Sequence, residues 1–433
     1  MPGAAVTAVP DQPASAPWTT PHGERIGTLD FIRGIAVIGI VFANVASFGQ
    51  PFSAAFYPGA FLVPQSGMDD LGWLVQLVLI DGKMRGLFTV LFGAGLVLFM
   101  ERAWARGAGT GLQMRRLFWL LCFGAAHFVL LWRGDILMSY AVAGAVALLF
   151  IHWRGRQLIT MGLVAYAVGA LLMTLAYGLP AMMEQGAFAG DPGMGAAGRE
   201  LALAAEGELA RERAEGEIIR SGDYLTFVRG NAAQLPTQFG FALILSLLET
   251  VPLILIGMGL YRVGLFTGAF DRRRLLFWSV AGLLAGGAAT SLLGLREMRG
   301  GLTYYGTLSV IAGASMLPRL PMILGLAGLL VLIAEWAYGW LGQRVRAAGR
   351  AAFSNYIGTS LVMLWVFHGF GLGLFSELGR IELYGVACLA GALMLLWSKP
   401  WLERFRYGPL EWAWRCLTHG CLFALRRAPE GSA

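Results

Sequence analysis

An all-α polytopic membrane bundle is predicted by three features of this 433-residue sequence: 57% of its residues are hydrophobic, 14% are charged, and mean hydropathy is +0.63. A soluble chain of this length carries about 25% charged residues, so the apolar surplus must face lipid. Stretches of about 17 to 25 apolar residues, enough to cross a bilayer, fall at 31–49, 70–100, 117–133, 136–152, 158–179, 239–261, 275–294, 320–340, 352–372 and 382–399. That gives about ten transmembrane helices within a bundle over 25–400.

The first span places Asp30 and Arg33 three residues apart, on one helical face where they can pair. Asn44 follows Arg33 by eleven residues, about three turns and roughly 16 Å further along the same face. Two readings stand for each: a cap with a snorkelling arginine and a packing amide, or parts of one functional stripe.

In the second span Lys83 and Arg85, with Asp81 beside them, interrupt the apolar run. The chain has two lysines, Lys83 and Lys399, against 31 arginines. A charge at bilayer depth costs about 2.5 to 3.5 kcal/mol even on insertion scales, so it is expected to be paired and turned inward. Asp81 and Arg85 are spaced to pair on one helical face. An internal brace and an anion-binding site are the alternatives.

His127 lies about ten residues into the third span, roughly 15 Å deep, and is followed by Arg133 and Asp135 in WRGDIL. A histidine titrates near neutrality and a nearby carboxylate would orient it, so His127 with Asp135 is the candidate general base. A packing histidine is the plainer reading, and His368, flanked by Phe367 and Gly369, is a weaker candidate base.

Residues 180–237 form the one sizeable polar segment, with nine acidic and five basic residues and helical apolar spacing. They are expected outside the membrane, as a solvated helix or as a lid over an outward-facing site. The stretch 302–317 is short and polar, and is expected to be a re-entrant or interfacial helix. Arg350, Asn355 and Tyr356 open the ninth span, where Arg350 can meet a phosphate. Residues 401–433, containing Glu411, Trp412, Trp414 and Arg415, read as an interfacial helix and tail, an anchor or a cover over a donor entrance. Residues 1–24 lack an apolar core and are expected to be a disordered tail rather than a signal peptide.

Arginine clusters at 102–116, 154–156, 262–274 and 344–350 place those connections, and both termini, in the cytoplasm. The net charge of +7 is therefore topological, with no basic face for nucleic acid. The four cysteines and five histidines are dispersed, which predicts no metal site. No nucleophile elbow or phosphate loop is present. The sequence leaves monomer and homo-oligomer equally open.

The segment from Arg25 to Asn44, the runs DGKMRGLFTVLFGAGL, RRLFWLLCFGAAHFVLLWRGDILMSYA and PLILIGMGLYRVGLF, the motif GRAAFSNYIGTS and the ending FRYGPLEWAWRCLTH together resemble the YeiB-like family of bacterial inner-membrane proteins. The resemblance covers most of residues 25–420. It implies kinship with transmembrane acyltransferases such as lysosomal heparan-alpha-glucosaminide N-acetyltransferase. Those enzymes take acyl-CoA from the cytoplasm and acylate an acceptor outside. Asp30, Arg33 and Gly34 match the D-x-x-R-G of that group, and Asn44 matches its outer-half asparagine. The catalytic histidine eleven residues further on corresponds here to Ala55, so the base must come from elsewhere.

The expected function is therefore acyl transfer from acyl-CoA, as co-substrate, to an extracytoplasmic glycan, lipid or small-molecule hydroxyl or amine. His127 would take the acceptor proton, Asp135 orient it, Asn44 stabilise the oxyanion, and Asp30, Arg33, Lys83, Arg85 and Arg350 hold the donor. The rivals are a secondary transporter of a small anion, with Lys83 and Arg85 as its clamp, and a non-catalytic scaffold or sensor.

Overall fold

The computed structural model describes residues 27–187 and 191–427; the tail expected over 1–24 lies outside the described residues. Among the described residues the chain is helical, with one isolated bridge between Phe405 and Arg426. In order, α1 spans Gly27–Gly49, α2 Gly67–Leu79, α3 Lys83–Trp104, α4 Thr110–Leu130, α5 Leu137–Leu148, α6 Gly155–Glu184, α7 Pro192–Ser221 and α8 Tyr224–Leu245. Then follow α9 Val251–Arg262, α10 Arg272–Arg299, α11 Tyr304–Ser309, α12 Met316–Ala334, α13 Trp340–Arg350, α14 Ala352–Phe367, α15 Arg380–Arg404 and α16 Pro409–His419.

Among the described residues, seven helices or helix runs are long and apolar enough to cross a membrane: α1, α2–α3, α6, α8–α9, α10, α12 and α15. α5 and α14 are apolar but shorter. α1 runs through the centre, packed against α3, α12, α13, α14 and α15. Its two faces feed separate apolar clusters. Val37, Ile40 and Val45 join residues of α3, α4, α5, α14 and α15, while Ile32 and Ala36 join residues of α3, α6, α9 and α12.

Three boundaries differ from the sequence reading. The run 70–100 is two helices, because the chain turns at Gly82 with φ +72, a conformation that glycine alone adopts without strain. A Cβ there would also lie 2.3 Å from Arg319 Nε. The break removes the helical spacing between Asp81 and Arg85, so the pair expected on one face does not form.

The stretch 302–317, expected to be a separate re-entrant or interfacial helix, runs on into the next helix. It is α11 and a π-helical turn, Val310–Ala314, leading straight into α12, and α12 returns along α10 as a hairpin. Finally, α6 continues to Glu184, and α8 begins at Tyr224 and passes through Pro236 and a π turn into α9. Helical hydrogen bonding thus continues into the polar segment assigned to 180–237, because falling hydropathy alone does not end a helix.

Candidate functional site

A cavity of about 350 Å³ opens among α1, α3, α4, α5, α14 and α16 at the arginine-rich end of the bundle. Its mouth carries Arg33, Arg102, Arg106, Arg116, Arg350, Arg415 and His419 against two carboxylates, Asp30 and Glu411. Further in, the walls are Val37, Ile40, Phe88, Phe92, Leu120 and Tyr140. A cationic mouth over an apolar lumen suits an amphiphile with an anionic head.

Each carboxylate at the mouth has a fixed task. Asp30 accepts from Arg33 Nη1 at 2.9 Å, as their spacing predicts. Glu411, near the start of α16, accepts from the Phe353 and Ser354 amides at 2.8 and 3.1 Å and from Ser354 Oγ at 2.5 Å. It thereby ties α16 across the first turn of α14, and α16 forms one wall of the cavity rather than a remote anchor. Burial, then Arg415 and its neighbouring arginines, lower the pKa of His419 to about 4. The ring is therefore neutral near pH 7.

The stripes lining the cavity can be followed inward by helical spacing. On α1, Arg33, Val37 and Ile40 lead to Asn44 four residues on. Leu112, Arg116 and Leu120 on α4 lead to His127 seven residues on. Tyr356 on α14 leads to Ser360 one turn further. All three continuations lie just past the inner end of the cavity.

There the side chains form a hydrogen-bonded chain. His127 Nδ1 lies 2.8 Å from Asp135 Oδ2, and its Nε2 lies 2.8 Å from Ser360 Oγ. Asp135 Oδ1 accepts from the Met138 amide at 2.9 Å, in the first turn of α5, where the helix dipole favours negative charge. Because the carboxylate only accepts, Nδ1 is assigned the proton and Nε2 the lone pair that receives the Ser360 hydroxyl. All three side chains are buried: His127 and Ser360 are 2% exposed, and the Asp135 side chain is 0% exposed.

Gly124 makes this approach feasible. A Cβ on it would lie 2.8 Å from Asp135 Oδ1 and 2.7 Å from the Met138 nitrogen. The tilted Tyr356 ring, 5.1 Å from the imidazole, separates it from the cavity, and Ile136 donates its amide to the Tyr356 hydroxyl at 3.3 Å.

On the opposite side of His127, Trp132 stands edge-on at 6.4 Å. Trp132 also lines a second cleft, of about 70 Å³, with Ser47, Arg133, Glu212, Glu215, Asn231 and Gln234. Arg133 bonds Glu215 at 2.5 Å, and Glu212 and Gln234 at 3.3 Å. The Ser53 amide donates to Glu212 at 2.9 Å. Burial raises the Glu212 pKa, opposed by the Ser53 bond and Arg133. These contacts dock α7 over the cleft, so the polar segment is more than a solvated face. Asn44 is half-buried, one turn before Phe48, whose ring stacks on Trp132 at 4.3 Å.

Lys83 and Arg85 sit elsewhere. Lys83 is 1% exposed and donates to the Leu77 carbonyl, capping the end of α2. Gln76 donates to Asp81 at 2.9 Å and accepts from Arg380 at 3.2 Å. Arg85 meets Glu249 at 2.5 Å, and Arg319 meets the other oxygen of Glu249 at 3.1 Å. This arginine–glutamate–arginine cluster joins α3, the α8–α9 turn and α12, and none of its members lines either cavity. His368 also stands apart, against Phe227 and Phe370.

Of the eight residues singled out from the sequence, the structure therefore gathers Asp30, Arg33 and Arg350 at the cavity mouth, and His127 and Asp135 past its inner end. Asn44 is on α1 four residues past Ile40, while Lys83 caps α2 and Arg85 joins the arginine–glutamate–arginine cluster. Ser360, Glu249 and Arg319 were not singled out. Glu249 and Arg319, charges inside apolar spans, carried a readable signal; a serine 233 residues from its histidine carried none.

No group of three or more metal-ligating side chains occurs among the described residues, and all four cysteines are free thiols. No solved structure matches the chain. A family model described as "Protein of unknown function (DUF418)" matches residues 260–421. The "Uncharacterized protein YxaH" of Bacillus subtilis (strain 168) is 30% identical over 408 residues, spanning 92% of this chain and 94% of that protein. The "Uncharacterized protein YeiB" of Escherichia coli (strain K12) is 28% identical over 410 residues, 91% of this chain and 96% of the relative. With resemblance running nearly end to end in both proteins, the chain belongs to the YeiB-like DUF418 family of multi-pass membrane proteins.

Proposed function

We propose that this protein is an integral-membrane acyltransferase, moving an acyl group from acyl-CoA to a hydroxyl or amine acceptor on the other side of a bacterial inner membrane. In this reading the chain crosses the membrane about ten times, with α4, α5 and α14 completing the seven long spans, and both termini are cytoplasmic. The arginine-rich mouth then faces the cytoplasm, where acyl-CoA is found, and α7 lies outside.

One observation carries the reading: the buried Asp135–His127–Ser360 chain, which lines neither cavity itself, packs through His127 near a lining residue of each, Tyr356 at 5.1 Å and Trp132 at 6.4 Å. The mouth arginines hold phosphates, as guanidinium forks do well. The apolar lumen takes the pantetheine arm and acyl group. At about 350 Å³ it lies at the low end of small-molecule pockets, which run roughly from 300 to 1,000 Å³.

His127 moves the proton, Asp135 holds its tautomer and favours the imidazolium that forms, and Asn44 offers an amide N–H to the developing oxyanion. In this reading Lys83, which caps α2, and Arg85, which pairs with Glu249, stand apart from the cavity that takes the donor. A glycan, a lipid and a small molecule all remain within the acceptor class.

The test is donor binding and cleavage. The protein purified in mild detergent is expected to retain CoA species detectable by mass spectrometry, to gain thermal stability with acyl-CoA, and to release CoA slowly from it. Absence of all three would remove the acyltransferase reading.

A further inference from the structure

We propose that Ser360 carries the acyl group between donor and acceptor as a serine ester, so that transfer proceeds in two half-reactions. This rests on the acyl-transfer reading above and assigns that site its nucleophile.

Two observations lead to it. His127 has no open ring nitrogen: Nδ1 is held by Asp135 and Nε2 by the Ser360 hydroxyl, each at 2.8 Å. An acceptor activated directly by His127 would first have to displace that hydroxyl. Among the described residues the other acceptor near the Ser360 proton is the Tyr356 carbonyl, at 3.5 Å, beyond normal hydroxyl hydrogen-bond length. A carboxylate, an imidazole and a hydroxyl linked in this order form the arrangement that activates a weak nucleophile.

The second observation is that the two cavities share no lining residue. Donor and acceptor therefore enter different voids on opposite sides of one imidazole. A direct transfer needs both reactants at one point together, whereas a carrier between the voids lets each arrive in turn.

The chemistry balances without another reactant. Ser360 Oγ attacks the thioester carbonyl; the C–O bond forms, the C–S bond breaks, and the serine proton passes through His127 Nε2 to the leaving thiolate. The acceptor hydroxyl or amine then attacks the ester, giving its proton to His127. His127 returns that proton to Ser360 as the C–O bond to serine breaks. The Tyr356 hydroxyl already accepts from the Ile136 amide, which leaves its own proton to donate to a carbonyl oxygen at the inner end of the cavity.

The test uses the full-length protein in nanodiscs with isotope-labelled acetyl-CoA, quenched without acceptor. Wild type should release about one CoA per protein in a burst and carry the label on the peptide containing Ser360. Hydroxylamine, as a surrogate acceptor, should remove the label. Ser360→Ala should bind acetyl-CoA but show no burst, no label and a turnover at least about 100-fold lower. Ser360→Cys should keep the label, as a thioester more readily cleaved by hydroxylamine, an outcome that a purely packing role would not give.

Wild-type transfer to hydroxylamine with no labelled intermediate, label at another residue, or near-normal turnover in Ser360→Ala would each overturn the serine ester. Those outcomes leave the acyltransferase reading standing. A wild type that neither binds nor cleaves acetyl-CoA would overturn both.

Discussion

The Arg85–Glu249–Arg319 cluster and the Asp135–His127–Ser360 chain both lie among apolar helices, yet they are built differently: the first pairs fixed charges, and the second links a carboxylate, an imidazole and a hydroxyl. In the cluster, two guanidinium groups grip one carboxylate from two sides, joining three elements, with Arg85 partly accessible and Arg319 buried. In the chain, the last group is a hydroxyl one turn past the end of a cavity. The cost of burying charge explains why every partner in the cluster is fixed. The cluster spends its charges on one another, whereas the chain ends on a hydroxyl that an imidazole can activate, so the chemistry of the last group separates brace from candidate site.

The comparison can be broken by substitution. The largest effect is expected for His127→Gln, which should cut acyl-CoA turnover about 100-fold or more, the usual range for a lost general base, with little change in melting temperature. Next comes Glu249→Gln, which leaves the buried Arg319 and the partly accessible Arg85 facing one another. It should destabilise the fold by roughly 3 to 5 kcal/mol, seen as lower yield and melting temperature, while turnover per folded molecule is kept. A cluster variant that melts normally but loses turnover would erase the distinction.

Gly124→Ala sharpens the account of the site. Its Cβ must push Asp135 or the first turn of α5, at about 1 to 3 kcal/mol, the usual cost of overpacking, and turnover should fall further than stability alone explains. Arg33→Ala is a smaller change. The Asp30–Arg33 pair is partly exposed, at 14% and 27%, and such pairs contribute about 1 kcal/mol or less. Melting should therefore barely move while acyl-CoA affinity drops and loses part of its salt dependence.

The smallest effect is on pH. His419 has its pKa lowered to about 4 by burial and by Arg415, Arg115, Arg106 and Arg116, so its contribution to stability is full above about 6.5, the unfolded value. That contribution is lost as pH falls from there toward 4. An anionic donor favours the protonated ring and so raises its pKa from about 4, and donor binding should take up a proton and tighten as pH falls toward that value. A titration of binding against pH in wild type and His419→Gln checks it, the variant losing that part of the slope.

The all-helical membrane fold was legible because it is written in hydropathy, which acts over whole spans. The errors were local: the Gly82 turn split a run that hydropathy read as one helix, and two polar stretches continued helices that were expected to end. Within the site, the Asp30–Arg33 pair followed from helical spacing, and the His127–Asp135 pair from a histidine followed closely by a loop carboxylate. Lys83 and Arg85 gave the strongest signal, and each has a partner, the Leu77 carbonyl and Glu249, since a charge inside an apolar segment shows that a partner exists without showing what the pair does. Ser360 was invisible because packing of α14 against α4, which no local pattern encodes, brings it to His127.

The most direct test of the difference between the two buried networks is acyl-CoA cleavage per folded molecule, measured with melting temperature on wild type, His127→Gln and Glu249→Gln. The account predicts that His127→Gln melts like wild type and is nearly inactive, while Glu249→Gln melts early and cleaves at the wild-type rate for as long as it stays folded. If His127→Gln cleaved acyl-CoA normally, or if both variants lost stability and turnover in parallel, the account would be contradicted.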